Sequence, residues 1–118
     1  MARVLIVDDD VEVADALKEI LERAGFDVKS ATSFEEGKRM LTDTPPPDLL
    51  VTDIRLGRYN GLQLAVIRPA GTGLIVISGH PDPTLEAETA RLGGTFLLKP
   101  IGAQALIETL GVISRRQG

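Results

Sequence analysis

The 118-residue chain has no cysteine, which excludes disulfides, thiolate-bound metals and cysteine nucleophiles and suits a reducing compartment. It also lacks a surplus of positive charge: 13 Lys and Arg against 17 Asp and Glu leave a formal charge of −4. A surface for nucleic acid or an anionic membrane concentrates cations, so neither is an expected direct partner. Long apolar runs are missing as well. They stop at four or five residues, far short of the roughly 20 that a membrane span needs. Met1-Ala2-Arg3 leads at once into a strand-like segment, and the expectation is a cytoplasmic chain with neither leader nor span. No repeat, linker or low-complexity tract divides it, so residues 1–118 read as one domain. What is present suffices for a core, because 43% of positions are apolar and a chain of this length buries about two-thirds of its unfolded surface.

Short runs rich in branched residues recur as Val4-Leu5-Ile6-Val7, Leu49-Leu50-Val51 and Leu74-Ile75-Val76-Ile77, with helix-period stretches between them. That alternation is the signature of a parallel α/β sheet. A first helix is predicted over Val11 to Ala24, with Ala14, Leu17, Leu21 and Ala24 on one face and Gly25 ending it. Phe26-Asp27-Val28-Lys29 alternates as an edge strand does. Ser33 and Glu36 form a capping box for a short second helix spaced by Phe34, Lys38 and Leu41. Pro45-Pro46-Pro47 then acts as a stiff connector. A third helix must fit between Gly61 and Pro69, and is short. The fourth spans Pro83 to Leu92, Thr95-Phe96-Leu97-Leu98 is the fifth strand, and Ala103, Leu106, Ile107, Leu110 and Ile113 stripe the last helix. The Arg115-Arg116-Gln117-Gly118 tail is expected to fray.

Four of the five strands end, at their carboxyl side, in a residue with chemistry: Asp8-Asp9-Asp10, Asp53, Ser78 and Lys99. In a parallel sheet all carboxyl ends lie along one edge, where ligands bind. Carboxylates, a hydroxyl and an ammonium from distant parts of the chain therefore converge. Two carboxylates about 4 Å apart repel by about 4 kcal/mol at an effective dielectric near 20, so the cluster must protonate, stay hydrated or hold a cation. An oxygen-only site with open positions suits Mg²⁺. The same residues argue against a nucleotide site, since three negative charges occupy the first turn where a glycine-rich loop would face phosphate. Asp10 reads more simply as a helix-start residue favoured by the dipole.

Asp8-Asp9, Asp53 after an apolar strand, the Asn60-Gly61 turn, Ser78-Gly79 and Lys99-Pro100 together resemble the receiver domain (CheY-like) of bacterial two-component response regulators. The resemblance covers essentially the whole chain. It implies a doubly wound (βα)5 flavodoxin-like fold with strand order 2-1-3-4-5, here with a shortened third helix. It implies that Asp53 accepts a phosphoryl group from a sensor histidine kinase or histidine phosphotransfer protein in a Mg²⁺-dependent reaction. Asp9 and Asp53 would bind the metal directly, Asp8 through water, and the Arg55 backbone carbonyl would complete the protein ligands. Lys99 would share the phosphoryl charge, Ser78 would hydrogen-bond the new oxygens, and Phe96 stands at the family's switch aromatic. Lys99-Pro100 matches the family's cis peptide. Arg55 and His80 fall where receivers vary and where side chains adjust water access, which makes them candidates for setting phosphoryl lifetime. The fourth helix, fifth strand and fifth helix would form the surface for a downstream protein.

The sequence departs from that pattern in places. Leu56-Gly57 stands where Met-Pro is common, the stretch from Gly61 to Ser78 is about one turn short, and Phe96 lacks a tyrosine hydroxyl. With no effector segment in the sequence, a single-domain regulator or phosphorelay shuttle is expected, catalysing only its own phosphorylation and dephosphorylation. Two other readings stay open. Asp8-Asp9-Asp10-Val11 also fits the start of haloacid-dehalogenase-type phosphatases, with Asp8 as nucleophile, and a degenerate receiver would act only as a binding module.

Overall fold

The computed structural model describes residues 2–43 and 45–117, with side chains inside the last helix described through residue 113. In chain order the elements are β1 (Arg3–Val7), α1 (Val11–Arg23), β2 (Asp27–Ala31), α2 (Phe34–Leu41), β3 (Leu49–Asp53), β4 (Arg55–Leu56), β5 (Tyr59–Asn60), α3 (Gly61–Ile67), β6 (Gly73–Ser78), α4 (Pro83–Arg91), β7 (Thr95–Leu98) and α5 (Ala103–Gln117). Five strands form one sheet in the order β2-β1-β3-β6-β7, parallel at every pairing. With the two-residue pair β4-β5 set aside, this is the expected 2-1-3-4-5 order.

The near-continuous apolar runs follow from burial on both faces. Val4, Ile6, Val51, Ile75 and Ile77 pack with Ala14, Leu17 and Leu21 of α1 and Leu106 and Leu110 of α5. Leu5, Val7, Leu50, Leu74 and Val76 turn the other way, onto Leu41 of α2 and Leu64 and Ala65 of α3, with Leu85 and Leu92 from the α4 side. The edge strand β2 runs two residues beyond the predicted segment and carries the alternating burial of an element covered on one face.

Helix starts show why the strand ends stay in place. Asp10 caps α1, its Oδ1 accepting the Glu12 and Val13 N–H groups at 3.0 and 3.4 Å. Ser33 caps α2 by accepting the Glu36 N–H at 3.1 Å. The reciprocal half of the box lands one residue early, because Glu36 Oε1 accepts from Thr32 N rather than Ser33 N. Lys38 is exposed, and the turn of α2 that meets the sheet is Gly37, where a Cβ would lie 2.9 Å from a Val7 methyl. Ala24, expected on the apolar face of α1, is an exposed C-cap, and Gly25 beyond it has φ +98°.

The third helix is short, as the sequence predicts, and Pro69 supplies a reason: Arg68, forced out of helical geometry ahead of proline, sits at φ −64°, ψ 148°. Arg68 replaces the missing turn with its side chain. The guanidinium donates to the Ala65 carbonyl at 2.7 Å, Thr72 at 2.8 Å and Leu92 at 2.6 Å. A cation thus joins the carboxyl ends of α3 and α4 to the entry of β6, complementing two helix dipoles. At the other end of the chain α5 spans Ala103–Gln117, and the expectation of fraying at Arg115-Arg116-Gln117-Gly118 falls outside the fully described residues.

Candidate functional site: an acidic cluster with one lysine

Parallel topology brings the ends of β1, β3, β6 and β7 to one rim. Asp8 and Asp9 follow β1, Asp53 closes β3, Ser78 closes β6, and Lys99 follows β7. Asp8 and Asp53 are buried and Asp9 is exposed, and one carboxylate oxygen from each lies within 4.8 Å of the others. Lys99 Nζ reaches two of them, 3.2 Å from Asp8 Oδ2 and 3.4 Å from Asp53 Oδ2. The Lys99–Pro100 peptide is cis.

Asp8 and Asp53 differ in what their oxygens are free to do. Asp8 is 1% exposed, with Oδ1 accepting the Asp10 N–H at 2.9 Å and Oδ2 facing Lys99. Asp53 instead lines a pocket of ≈ 230 Å³ with Arg55, Ser78, His80 and Lys99. Burial pushes the Asp53 carboxyl above the ordinary carboxylate value and Asp8 pushes it further, against the opposing pull of Lys99 and the Arg55 N–H. For Lys99, burial acts to lower the pKa, but Asp53 and Asp8 together outweigh it and the ammonium is held above its usual value.

The Asp53 shift has a consequence for stability. A carboxyl whose folded pKa is raised contributes stability below its unfolded pKa and loses it as pH rises through the folded one. Ionised Asp53 is thus a cost at neutral pH. In metal-free buffer Asp53→Asn is expected to melt above the wild type at pH 7, with the difference shrinking as pH falls toward the ordinary value of 3.8. Thermal melts across that range check it.

The residues fit a hard divalent cation. All side-chain donors are carboxylate oxygens, one of them is exposed, and three negative charges face a single ammonium. Arg55, in β4, lies two residues beyond Asp53 and lines the same pocket.

Ser78 reaches the same pocket but is engaged locally. Its hydroxyl donates to the His80 carbonyl at 2.8 Å and accepts the His80 N–H at 3.2 Å. The His80 side chain is exposed on the pocket rim. Phe96 is half-buried against the α3 and α4 side of the core. Asp10, capping α1, stays outside the cluster. Gly61, half of the Asn60-Gly61 turn in the sequence, also presses on the end of β3: its N–H donates to the Ile54 carbonyl at 2.8 Å, and a Cβ there would overlap the Asp53 carbonyl oxygen.

The family model described as the response regulator receiver domain matches residues 4–111. The chain belongs to this family. This receiver domain is 30% identical to the two-component response regulator PprB of Pseudomonas aeruginosa, over 96% of the chain and 44% of PprB. It is 31% identical to the transcriptional regulatory protein CpxR of Escherichia coli, over 98% of the chain and 50% of CpxR. The chain spans about half the length of these curated relatives. Among solved structures, a CheY-like receiver domain protein from Methanospirillum hungatei superposes with a TM-score of 0.90 at 28% identity, covering 99% of this chain and 96% of that one. Receiver domains of two-component systems are phosphoacceptor signalling modules that interact with histidine kinases and downstream targets. Among the described residues, no helix is long and apolar enough to cross a membrane.

Proposed function

We propose that Asp53 accepts a phosphoryl group from a phosphohistidine on a sensor kinase or phosphotransfer protein, and that this changes a surface read by a downstream protein. The observation that carries the reading is Asp53 itself: a carboxylate lining a pocket, 3.4 Å from Lys99 Nζ and grouped with Asp8 and Asp9. An Asp53 oxygen attacks phosphorus, the P–N bond to the donor imidazole breaks, and the imidazole leaves with the bond's electron pair. Asp53 must be ionised to attack. Lys99 draws negative charge off the transferring oxygens, which is the main work of a site that catalyses phosphoryl transfer by positioning.

Asp9, Asp53 and the Arg55 carbonyl would hold Mg²⁺, with Asp8 behind them. The ion supplies charge neutralisation for carboxylates and phosphoryl oxygens alike. Asp8 is a poor nucleophile in the phosphatase sense, because its two oxygens are engaged by Asp10 N–H and Lys99.

Phosphorylation adds nearly two negative charges and strong acceptors. To donate to a phosphoryl oxygen, Ser78 exchanges the His80 carbonyl for it, which moves the 78–80 loop. That loop leads to α4, whose Asp82 caps the helix by accepting the Leu85 N–H at 3.1 Å. Leu98 of β7 and Val112 of α5 are 45% and 40% exposed, which leaves an apolar position on each of those two elements open to a partner. Arg55 and His80, both at the pocket, would set phosphoryl lifetime by controlling water.

Incubation with acetyl phosphate and Mg²⁺ should add one phosphoryl mass, located on Asp53 by peptide mass spectrometry, and Asp53→Asn should take up none. Uptake by Asp53→Asn that Asp8→Asn abolishes would favour the phosphatase reading instead. In the same assay the double variant Arg55→Ala, His80→Ala should lose its phosphoryl group at an altered rate.

A further inference from the structure

Four aromatic residues are present, three Phe and one Tyr with no Trp, and two of them meet beside the acidic cluster. Tyr59 of β5 stacks on Phe34 of α2 with ring centroids 4.3 Å apart and planes inclined by 15°. In the β4-β5 pair, Leu56 lies opposite Tyr59 and Arg55 opposite Asn60. Directly opposed residues of an antiparallel pair project to the same face. Leu56 and Tyr59 therefore turn together toward α2: Leu56 belongs to the buried core cluster against which Tyr59 and Phe34 both pack, while Arg55 lines the Asp53 pocket.

The backbone of the same hairpin reaches the acidic cluster: the Gly57 N–H donates to Asp9 Oδ2 at 3.2 Å, and Arg55 follows Asp53 by two residues and lines its pocket. Its base is fixed where α3 begins, by Gly61 N–H on the Ile54 carbonyl and by the Asn60–Gln63 capping box. Its outer part is the exposed Gly57-Arg58 turn, with Gly57 at φ +63°. What ties that part to the body of the protein is Leu56 packing, the bond to Asp9, and the stack.

We propose that Tyr59 is a positioning residue for the divalent cation: its stack on Phe34 holds the hairpin against the acidic cluster, fixing the Arg55 carbonyl and the Gly57 N–H that orients Asp9. This rests on the metal-dependent reading above. The Asp9 oxygen has two lone pairs and can accept from Gly57 while binding a cation. Holding ligand atoms in place before binding removes an ordering cost that would otherwise weaken affinity. Linkage makes the effect reciprocal, so a cation that binds better to the stacked hairpin must tighten the stack by the same factor. Tyr59 is the sole tyrosine in a chain without tryptophan, and its emission reports that tightening directly.

The test is Mg²⁺ titration of the intact chain by isothermal calorimetry, with tyrosine emission followed in parallel on the wild type. Tyr59→Ala and Phe34→Ala should each bind Mg²⁺ about 3- to 10-fold more weakly, the fold-change that corresponds to one aromatic pair. The double variant should be no weaker than either single one, and Tyr59→Phe should restore wild-type affinity. Wild-type emission should change with the calorimetric dissociation constant. If Tyr59→Ala does not fold, Tyr59→Leu keeps the apolar bulk without the stack and should show the same loss. Alanine variants that melt lower but bind Mg²⁺ as tightly as wild type would overturn the proposal, as would wild-type emission that ignores saturating Mg²⁺. A wild type that binds no Mg²⁺ at all would instead overturn the reading on which the proposal rests.

Discussion

Gly61→Ala should lower the melting temperature by about 10 to 15 °C, the equivalent of about 3 kcal/mol in a domain of this size. The added methyl would overlap the Asp53 carbonyl oxygen and lie 2.9 Å from Thr52 Oγ1, which itself donates to that carbonyl at 3.0 Å. Neither neighbour is a flexible side-chain end. The backbone of β3 or the start of α3 has to shift, and either movement displaces the residue proposed to accept the phosphoryl group. Phosphoryl uptake from acetyl phosphate should therefore fall even at temperatures where the variant is fully folded. Melting curves and uptake measured below the transition separate the two effects. Wild-type uptake in a folded Gly61→Ala protein would show that the close approach has no part in positioning Asp53.

Lys99→Met should reduce phosphoryl uptake by about 10²- to 10³-fold, the usual loss when a preorganised charge facing the transition state is removed. It should also destabilise the metal-free protein at pH 7 by about 2 kcal/mol. Removing one partner of a buried pair leaves charge uncompensated, but the Lys99 side chain is 29% exposed and solvent recovers part of the cost. The sign with pH follows from both groups. Lys99 has a raised folded pKa, so its stabilisation is present below its unfolded value of 10.5 and is lost as pH rises through the folded one. On the acid side, protonating Asp53 removes a charge that the ammonium offsets, so the gap between variant and wild type should narrow there too. Melts from acid to strongly alkaline pH, with and without Mg²⁺, give the profile. In Mg²⁺ the variant should recover stability, since a bound cation favours the folded state by about 2.7 kcal/mol at a hundredfold excess over its dissociation constant.

Several elements were legible because their signal is local. Thr95–Leu98 and the long buried strands stand out as branched apolar runs, and Asp10 and Ser33 announce their helices through short polar side chains able to accept backbone N–H groups. The hairpin at 55–60 was missed for the opposite reason. Two-residue strands carry no periodicity, and the available hints were only Gly57 and Asn60 with Leu56 and Tyr59 spaced around them. Arg68 gave no signal at all. Its partners are the carbonyls of Ala65, Thr72 and Leu92, and since every residue has a carbonyl, no residue type marks the acceptors. Ser78 shows a subtler limit, because its place at a strand end was readable while its present engagement with the His80 backbone depends on loop conformation.

Alternation of strand and helix, the carboxyl-end position of each polar group and the oxygen-only character of the cluster were determined by the order of residues alone, because a parallel sheet carries every strand end to one side whatever its details. Only tertiary structure decided how the three aspartates divide their work. Distances of a few ångströms and the burial of each oxygen depend on packing that no spacing rule encodes: Asp8 closed off by Asp10 and Lys99, Asp9 exposed and tethered to Gly57, Asp53 open to the pocket with Gly61 pressed against its carbonyl.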